Sequence, residues 1–212
     1  KHEILVVGRT DVTKAIPAAI RALETVLEKH PELIDKVHMT ILAIPSRMSL
    51  PVTEELVREI TAADDSINTK FHTKPVETIL GRWPRQELVA HYMATDTFLV
   101  APYSDGQNLI PSEGIAVNKK DANLVLSRSC GAYYTYGKNA LVVNPRDELE
   151  LETALYEALT QDAPSRARNF RGLQHSLEEN TVWHYYNRWQ AEMSKIRNRN
   201  RIVIPSFPKL TA

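Results

Sequence analysis

Residues 105–113, Asp105-Gly106-Gln107-Asn108-Leu109-Ile110-Pro111-Ser112-Glu113, concentrate the groups best suited to chemistry in this chain. They follow the apolar run Phe98-Leu99-Val100-Ala101 and lead into a helix-like segment over 115–119. An acid and a glycine at a strand end, then open backbone amides at a helix start, suit an anionic ligand. The N–H groups and the helix dipole both favour negative charge there. Glu113 is placed about two helical turns into this segment, within reach of a ribose. The segment reads as a pocket for the diphosphate and sugar of a nucleotide-activated substrate.

A second polar segment, Gly8-Arg9-Thr10-Asp11-Val12-Thr13-Lys14, follows the apolar run at 4–7. Arg9 and Lys14 flank a turn and can grip a diphosphate from two sides, the guanidinium as a planar fork and the ammonium as a point charge. Taken alone, the segment equally suits a solvated loop in which Asp11 or Thr13 caps a helix. Its pairing with the Asp105 loop favours the ligand site. Arg47, after Ile44-Pro45-Ser46, also stands at a strand end and is a candidate for a phosphate on a second substrate. The small residues of Ser127-Arg128-Ser129-Cys130-Gly131-Ala132 leave room for a ligand to approach closely. Cys130 has no neighbouring histidine or acid to activate it and reads as a small buried thiol. The seven histidines show no pair at metal-ligand spacing, and there is no H-E-x-x-H, P-loop or G-x-G-x-x-G. Neither a metal nor a cofactor is therefore expected.

Alternating elements must position these residues. Short apolar runs at 4–7, 37–43, 76–80, 98–101, 124–127 and 140–143 read as strands. Between them lie helical patterns: one opened by Pro17 with Ile16, Ile20, Leu23 and Leu27 on one face, and one over 53–67. A third starts at Pro84 with Leu88, Val89, Tyr92 and Met93 inward, and others cover 149–159 and 165–177. Repeated strand-helix alternation predicts an α/β fold: a Rossmann-like parallel sheet with helices on both faces. The polar clusters then fall together at the carboxyl ends of the strands, where such sheets bind ligands.

Length and composition set the bounds. At 212 residues the chain forms one domain, or one with an appendage. We place a nucleotide-binding domain at 1–180. Residues 181–212 form an aromatic helix (Trp183, Tyr185, Tyr186, Trp189) and an extended tail from 197, packing on this domain or toward a missing partner half. A buried strand starting almost at residue 1 reads as the interior of a longer protein. Lys plus Arg and Asp plus Glu balance at 26 each, giving no bias toward nucleic acid or anionic membranes. No apolar run approaches the roughly 20 residues of a membrane span. A single cysteine rules out an internal disulfide and fits a reducing, cytoplasmic setting.

Taken together, these segments resemble the trehalose-6-phosphate synthase family of retaining glycosyltransferases. The match is to the C-terminal, donor-binding half of its two-domain GT-B fold and runs from Ile4 to near Met193. It rests on Arg9-x-Asp11-x-x-Lys14, Pro45-Ser46-Arg47, Asp105-Gly106-x-Asn108-Leu109 with Glu113, and Asn144-Pro145. The resemblance implies transfer of a glycosyl group from a nucleotide-sugar donor to a phosphorylated sugar, with an N-terminal acceptor domain of the same protein as partner. Arg9 and Lys14 would hold the donor diphosphate, Asp105 the hydroxyls of the transferred ring, and the amides of Gln107, Asn108, Leu109 and Ile110 the ring and phosphates. Glu113 would bind the ribose and Arg47 the acceptor phosphate. Retention in the family is held to need no protein nucleophile, the acceptor attacking on the face the leaving group departs.

Thr10, Val12, Ala15 and Gln107 depart from the family, which usually carries a bulky residue, an aromatic, a glycine and a methionine at these places. The departures are similar to a branch of pseudo-glycosyltransferases, of the validoxylamine A 7'-phosphate synthase kind, that couple a nucleotide-activated cyclitol to an amino-cyclitol phosphate. UDP and GDP donors both stay open, as do homo-oligomerisation and a non-catalytic regulatory module that keeps the nucleotide site. A dinucleotide enzyme is disfavoured because Gly8 is the only glycine in the first turn.

Overall fold

The computed structural model describes residues 1–46 and 49–200, with side chains to Arg197. Arg47, the expected acceptor-phosphate ligand, and the tail at 201–212 lie outside the described residues. Six strands form one parallel sheet: β1 (His2–Arg9), β2 (Val37–Ile44), β3 (Val76–Leu80), β4 (Thr97–Val100), β5 (Asn123–Ser127) and β6 (Leu141–Val143). Their spatial order is β3-β2-β1-β4-β5-β6, with Val6 opposite Ile41 on one side of β1 and Leu5 opposite Phe98 on the other. The order reverses between β1 and β4, which opens a crevice beyond their carboxyl ends.

Strand residues alternate between two apolar layers because successive side chains leave opposite faces of a pleated strand. Ile4, Val6, Leu99 and Val125 join one layer with α1 (Ile16–Lys29), α2 (Pro51–Phe71) and α6 (Glu148–Thr160). Leu5, Phe98, Val100, Leu124 and Leu126 join the other with α3 (Arg85–Ala94), α4 (Ile110–Val117), α5 (Tyr133–Tyr136) and α7 (Ala163–Glu178). Both faces are covered, so the strands read as unbroken apolar runs. In α1, Pro17 stands in the first turn and Ile16, Ile20, Leu23 and Leu27 are buried, as their spacing predicts.

Four expectations change. The helix after the Asp105 loop begins at Ile110 rather than 115, because Pro111 fits its first turn and the Asn108 side chain accepts the Ile110 amide. Glu113 is therefore in the first turn, not two turns in. Met93 is 40% exposed and Leu88 and Val89 are half-buried, so α3 buries little beyond Tyr92. The C-terminal helix, α8 (Val182–Asn200), continues through residues 197–200, where an extended tail was expected. Its Trp183, Tyr185 and Trp189 stay at least 39% exposed and are not part of this domain's core. Among the described residues no helix is long and apolar enough to cross a membrane.

Candidate active site

The site grows from two loops at the centre of the sheet. After β1, Asp11 caps a single 3-10 turn at Val12–Lys14. Its Oδ1 accepts the Thr13 amide at 3.0 Å and the Thr13 hydroxyl at 2.8 Å. Those two bonds hold the Asp11 carboxyl below the usual carboxylate range. Ala15 ends the turn at φ 55°, a left-handed conformation glycine adopts without strain, which accounts for the glycine expected there. Thr10, fully buried, ties the turn to the end of β2, its hydroxyl accepting the Ser46 amide at 3.0 Å.

The turn aims Lys14 at the loop after β4. Tyr103 donates its amide to the Thr13 carbonyl at 2.7 Å and locks the two loops together. Lys14 Nζ then donates to Asp105 Oδ2 at 2.6 Å, and Asn108 Nδ2 donates to the same oxygen at 3.0 Å. The lysine and aspartate side chains are only 16% and 15% exposed, so water screens the pair weakly. Arg9 instead reaches Asp11 at 3.7 Å and is half exposed.

A third loop clamps the second. Asp105 donates its amide to Ser129 O, Gly131 donates to Asp105 O, and Ala132 donates to Gln107 O, all within 3.2 Å. The Cys130 thiol donates to the Gln107 carbonyl at 3.3 Å. A Cβ on Gly131 would lie 2.0 Å from the Gly106 carbonyl oxygen. The small residues at 127–132 thus make room for the protein's own loop at 105–108, where the sequence suggested close approach of a ligand. Cys130 is the buried thiol expected, and burial pushes its pKa up.

Asn108 takes φ 63° and turns the chain into α4. Among the described residues the amides of Gln107, Asn108 and Leu109 have no acceptor, whereas Ile110 already donates to Asn108 Oδ1 at 3.0 Å. Three of the four expected amides are open and the fourth is taken. Gly106, Gln107 and Leu109 are exposed at the mouth of this loop.

Glu113 stands one turn further on and accepts the Tyr92 hydroxyl at Oε2, at 3.0 Å. Both line a cavity of about 380 Å³ between α3 and α4, with Trp83, Leu88 and Val117. A larger cavity of about 760 Å³ lies between α2 and β3 and holds none of these residues. Lys14, Asp105 and Asn108 are thus brought into contact. Among the described residues Arg9 and Glu113 share no hydrogen bond or ion pair with any of the three. Sequence reasoning missed Thr10 and Gly131 as supports, and no spacing signals them, because their partners lie 36 and 25 residues away along the chain. Among the described residues no group of three or more histidines, cysteines or acids is placed to hold a metal ion.

The family model of glycosyltransferase family 20 matches residues 1–195. The chain belongs to glycosyltransferase family 20. Curated relatives in this family include an alpha,alpha-trehalose-phosphate synthase (UDP-forming) of Pichia angusta. It is 32% identical over 197 residues, covering 91% of this chain and 41% of the relative. A second synthase of that name from Aspergillus fumigatus is 34% identical, covering 88% of this chain and 40% of its own length. The family 20 chain thus spans about two fifths of the length of the curated relatives it matches. Among solved structures, an alpha,alpha-trehalose-phosphate synthase (UDP-forming) from Burkholderia xenovorans in complex with glucose-6-phosphate superposes with a TM-score of 0.85 at 27% identity. That match covers 92% of this chain and 44% of the other. An E. coli trehalose-6-phosphate structure bound with UDP-2-fluoro glucose gives 0.83 at 28% identity, over 95% and 44%.

Proposed function

We propose that this chain is the donor-binding half of a retaining glycosyltransferase that moves glucose from UDP-glucose to a sugar phosphate such as glucose-6-phosphate. The observation that carries the reading is the Lys14–Asp105–Asn108 cluster at the carboxyl ends of β1 and β4, beside three open amides. The names of the relatives and their complexes with UDP-2-fluoro glucose and glucose-6-phosphate supply the nucleotide and the acceptor.

In this reading Lys14 and Arg9 grip the donor diphosphate, and the amides of Gln107, Asn108 and Leu109 approach the ring and phosphates. Asp105 accepts hydrogen bonds from ring hydroxyls, held in place by Asn108. Glu113 takes the ribose, and Arg47 the acceptor phosphate. As the anomeric C–O bond breaks, negative charge builds on the leaving UDP, and the two cations offset it. Such preorganised charge stabilisation acts with positioning to lower the barrier. The acceptor comes from an N-terminal half, against which the exposed aromatic face of α8 packs.

Calorimetry with UDP, UDP-glucose and GDP tests the reading. UDP and UDP-glucose are expected to bind, and GDP to bind at least about tenfold more weakly, a difference of about 1.4 kcal/mol. A preference for GDP would move the assignment to another activated ring. The 212-residue chain by itself is expected to bind donor weakly and turn over nothing. Steady product formation by it would overturn the assignment of the acceptor site to another half.

A further inference from the structure

Glu113 is an exposed residue in the first turn of α4, where a glutamate ordinarily samples many rotamers. Here one of its oxygens is already held. The Tyr92 hydroxyl donates to Oε2 at 3.0 Å, while among the described residues Oε1 takes no hydrogen bond. The phenol making that contact has almost no freedom. Its residue is 1% exposed, and the Phe98 ring meets it edge-on at 6.0 Å between centroids and 66° between planes. The backbone is fixed too, because Asn118 Nδ2 donates to the Tyr92 carbonyl at 2.8 Å and to the Thr95 carbonyl at 2.9 Å. Phe98 sits tightly under α4 because residue 114 is glycine; a Cβ there would lie 2.6 Å from Phe98 Cζ. A chain of rigid contacts thus runs from β4 through Phe98 and Tyr92 to one carboxylate oxygen.

We propose that Tyr92 is a positioning residue for nucleotide binding: it fixes the Glu113 carboxylate so that its second oxygen meets the ribose diol. The inference rests on the reading of Glu113 as the ribose ligand. A vicinal diol offers two donors at fixed separation, and the lone pairs of one carboxylate oxygen receive them well only when the carboxylate plane is set beforehand. Fixing that plane in the free protein removes an ordering cost from binding. The phenol also keeps its proton: burial first, then the Glu113 charge and the hydrogen bond itself, drive its pKa well above that of a free tyrosine. Tyr92 therefore stays a donor throughout the range in which the protein is handled. A purely structural tyrosine would serve equally well as phenylalanine.

The test is calorimetric binding of UDP and of 2',3'-dideoxy-UDP to the wild-type protein and to Tyr92→Phe, with melting temperatures for both. Wild type should prefer UDP. Tyr92→Phe should lower UDP affinity about fivefold to tenfold, the scale of one hydrogen bond, and leave dideoxy-UDP binding unchanged. An equal loss for both nucleotides would make Tyr92 a packing residue and overturn the inference. Unchanged UDP binding in the variant would overturn it as well. If wild type itself fails to distinguish the two nucleotides, the ribose assignment of Glu113 falls, and the positioning role with it. If it binds neither, the donor-site reading fails first. Should Tyr92→Phe melt early, Glu113→Gln provides the second variant. It keeps the side chain's length, removes the charge, and must weaken UDP selectively over dideoxy-UDP.

Discussion

Lys14 and Asp105, 91 residues apart in the chain, meet in a 2.6 Å charge-assisted hydrogen bond between the two central loops. Each is the other's counter-ion in the free protein, and Asn108 completes the coordination of Asp105. In the proposed donor site a nucleotide diphosphate would compete for Lys14, and ring hydroxyls would take its place on Asp105. Binding would then exchange one set of partners for another, without leaving a poorly solvated charge alone.

Lys14→Ala is expected to weaken UDP by about 1.5–3 kcal/mol, the scale of a hydrogen bond to a charged group, and to leave uridine binding nearly unchanged. The bared Asp105 carboxylate adds repulsion, so Lys14→Ala with Asp105→Asn should recover part of the loss. Calorimetry with both ligands checks this. Equal losses for UDP and uridine would remove Lys14 from the diphosphate site.

Gly131→Ala places a methyl group where the Gly106 carbonyl now sits, 2.0 Å from the new carbon. The loop at 105–108 must move, since the opposing atom is backbone. We expect UDP affinity to fall by at least about tenfold, equivalent to about 1.4 kcal/mol. Wild-type affinity in this variant would show that the clamp is irrelevant to this loop.

Gly114→Ala tests packing beneath the same loop, as its Cβ would come 2.6 Å from Phe98 Cζ. Overpacking of this kind costs about 1–3 kcal/mol. Phe98→Leu in the same chain should return a substantial part of that loss, measurable by denaturant unfolding of the two single variants and the double variant. Additive losses would place the strain elsewhere.

His38 gives the stability a pH dependence. Its Nδ1 lies 3.1 Å from both Glu3 carboxylate oxygens. The hydrogen bond to Glu3 raises the imidazole pKa above its ordinary 6.5, with lesser help from Glu77 and against partial burial and Lys1. The folded state holds this proton more tightly than the unfolded state does. Its contribution is therefore complete below about pH 6.5 and is lost as pH rises through the folded value. His38→Asn should melt earlier than wild type at pH 6, with the gap narrowing by pH 8. A gap that widens with pH would reverse the sign assigned here.

Much of this was legible in the sequence because the relevant signals are local. Unbroken apolar runs give β1 and β4, polar clusters mark their carboxyl ends, and Pro17 opens α1. Lys14 and Asp105 could be nominated separately and then joined by the topology. What stayed hidden depends on contacts between distant segments. The start of α4 depends on the Asn108 side chain replacing a missing backbone acceptor. The 40% exposure of Met93 depends on what packs against α3, whose one buried residue is Tyr92. The role of Gly131 depends on a carbonyl 25 positions earlier. Periodicity carries none of these, since each depends on what the facing segment presents.

The reversal of strand order between β1 and β4 has a kinetic consequence. The β1-β2-β3 half can pair within itself, and so can β4-β5-β6, but among the described residues the strands of the two halves pair only along β1–β4. That seam closes a loop of about ninety residues, a slow, high-contact-order event. Lys14 belongs to one half and Asp105 to the other. In the proposed donor site, ligand affinity would mature only when the seam closes, and a nucleotide added during refolding would report that step. Separate halves split between α3 and β4 would form a complementation pair whose reunion the same nucleotide favours.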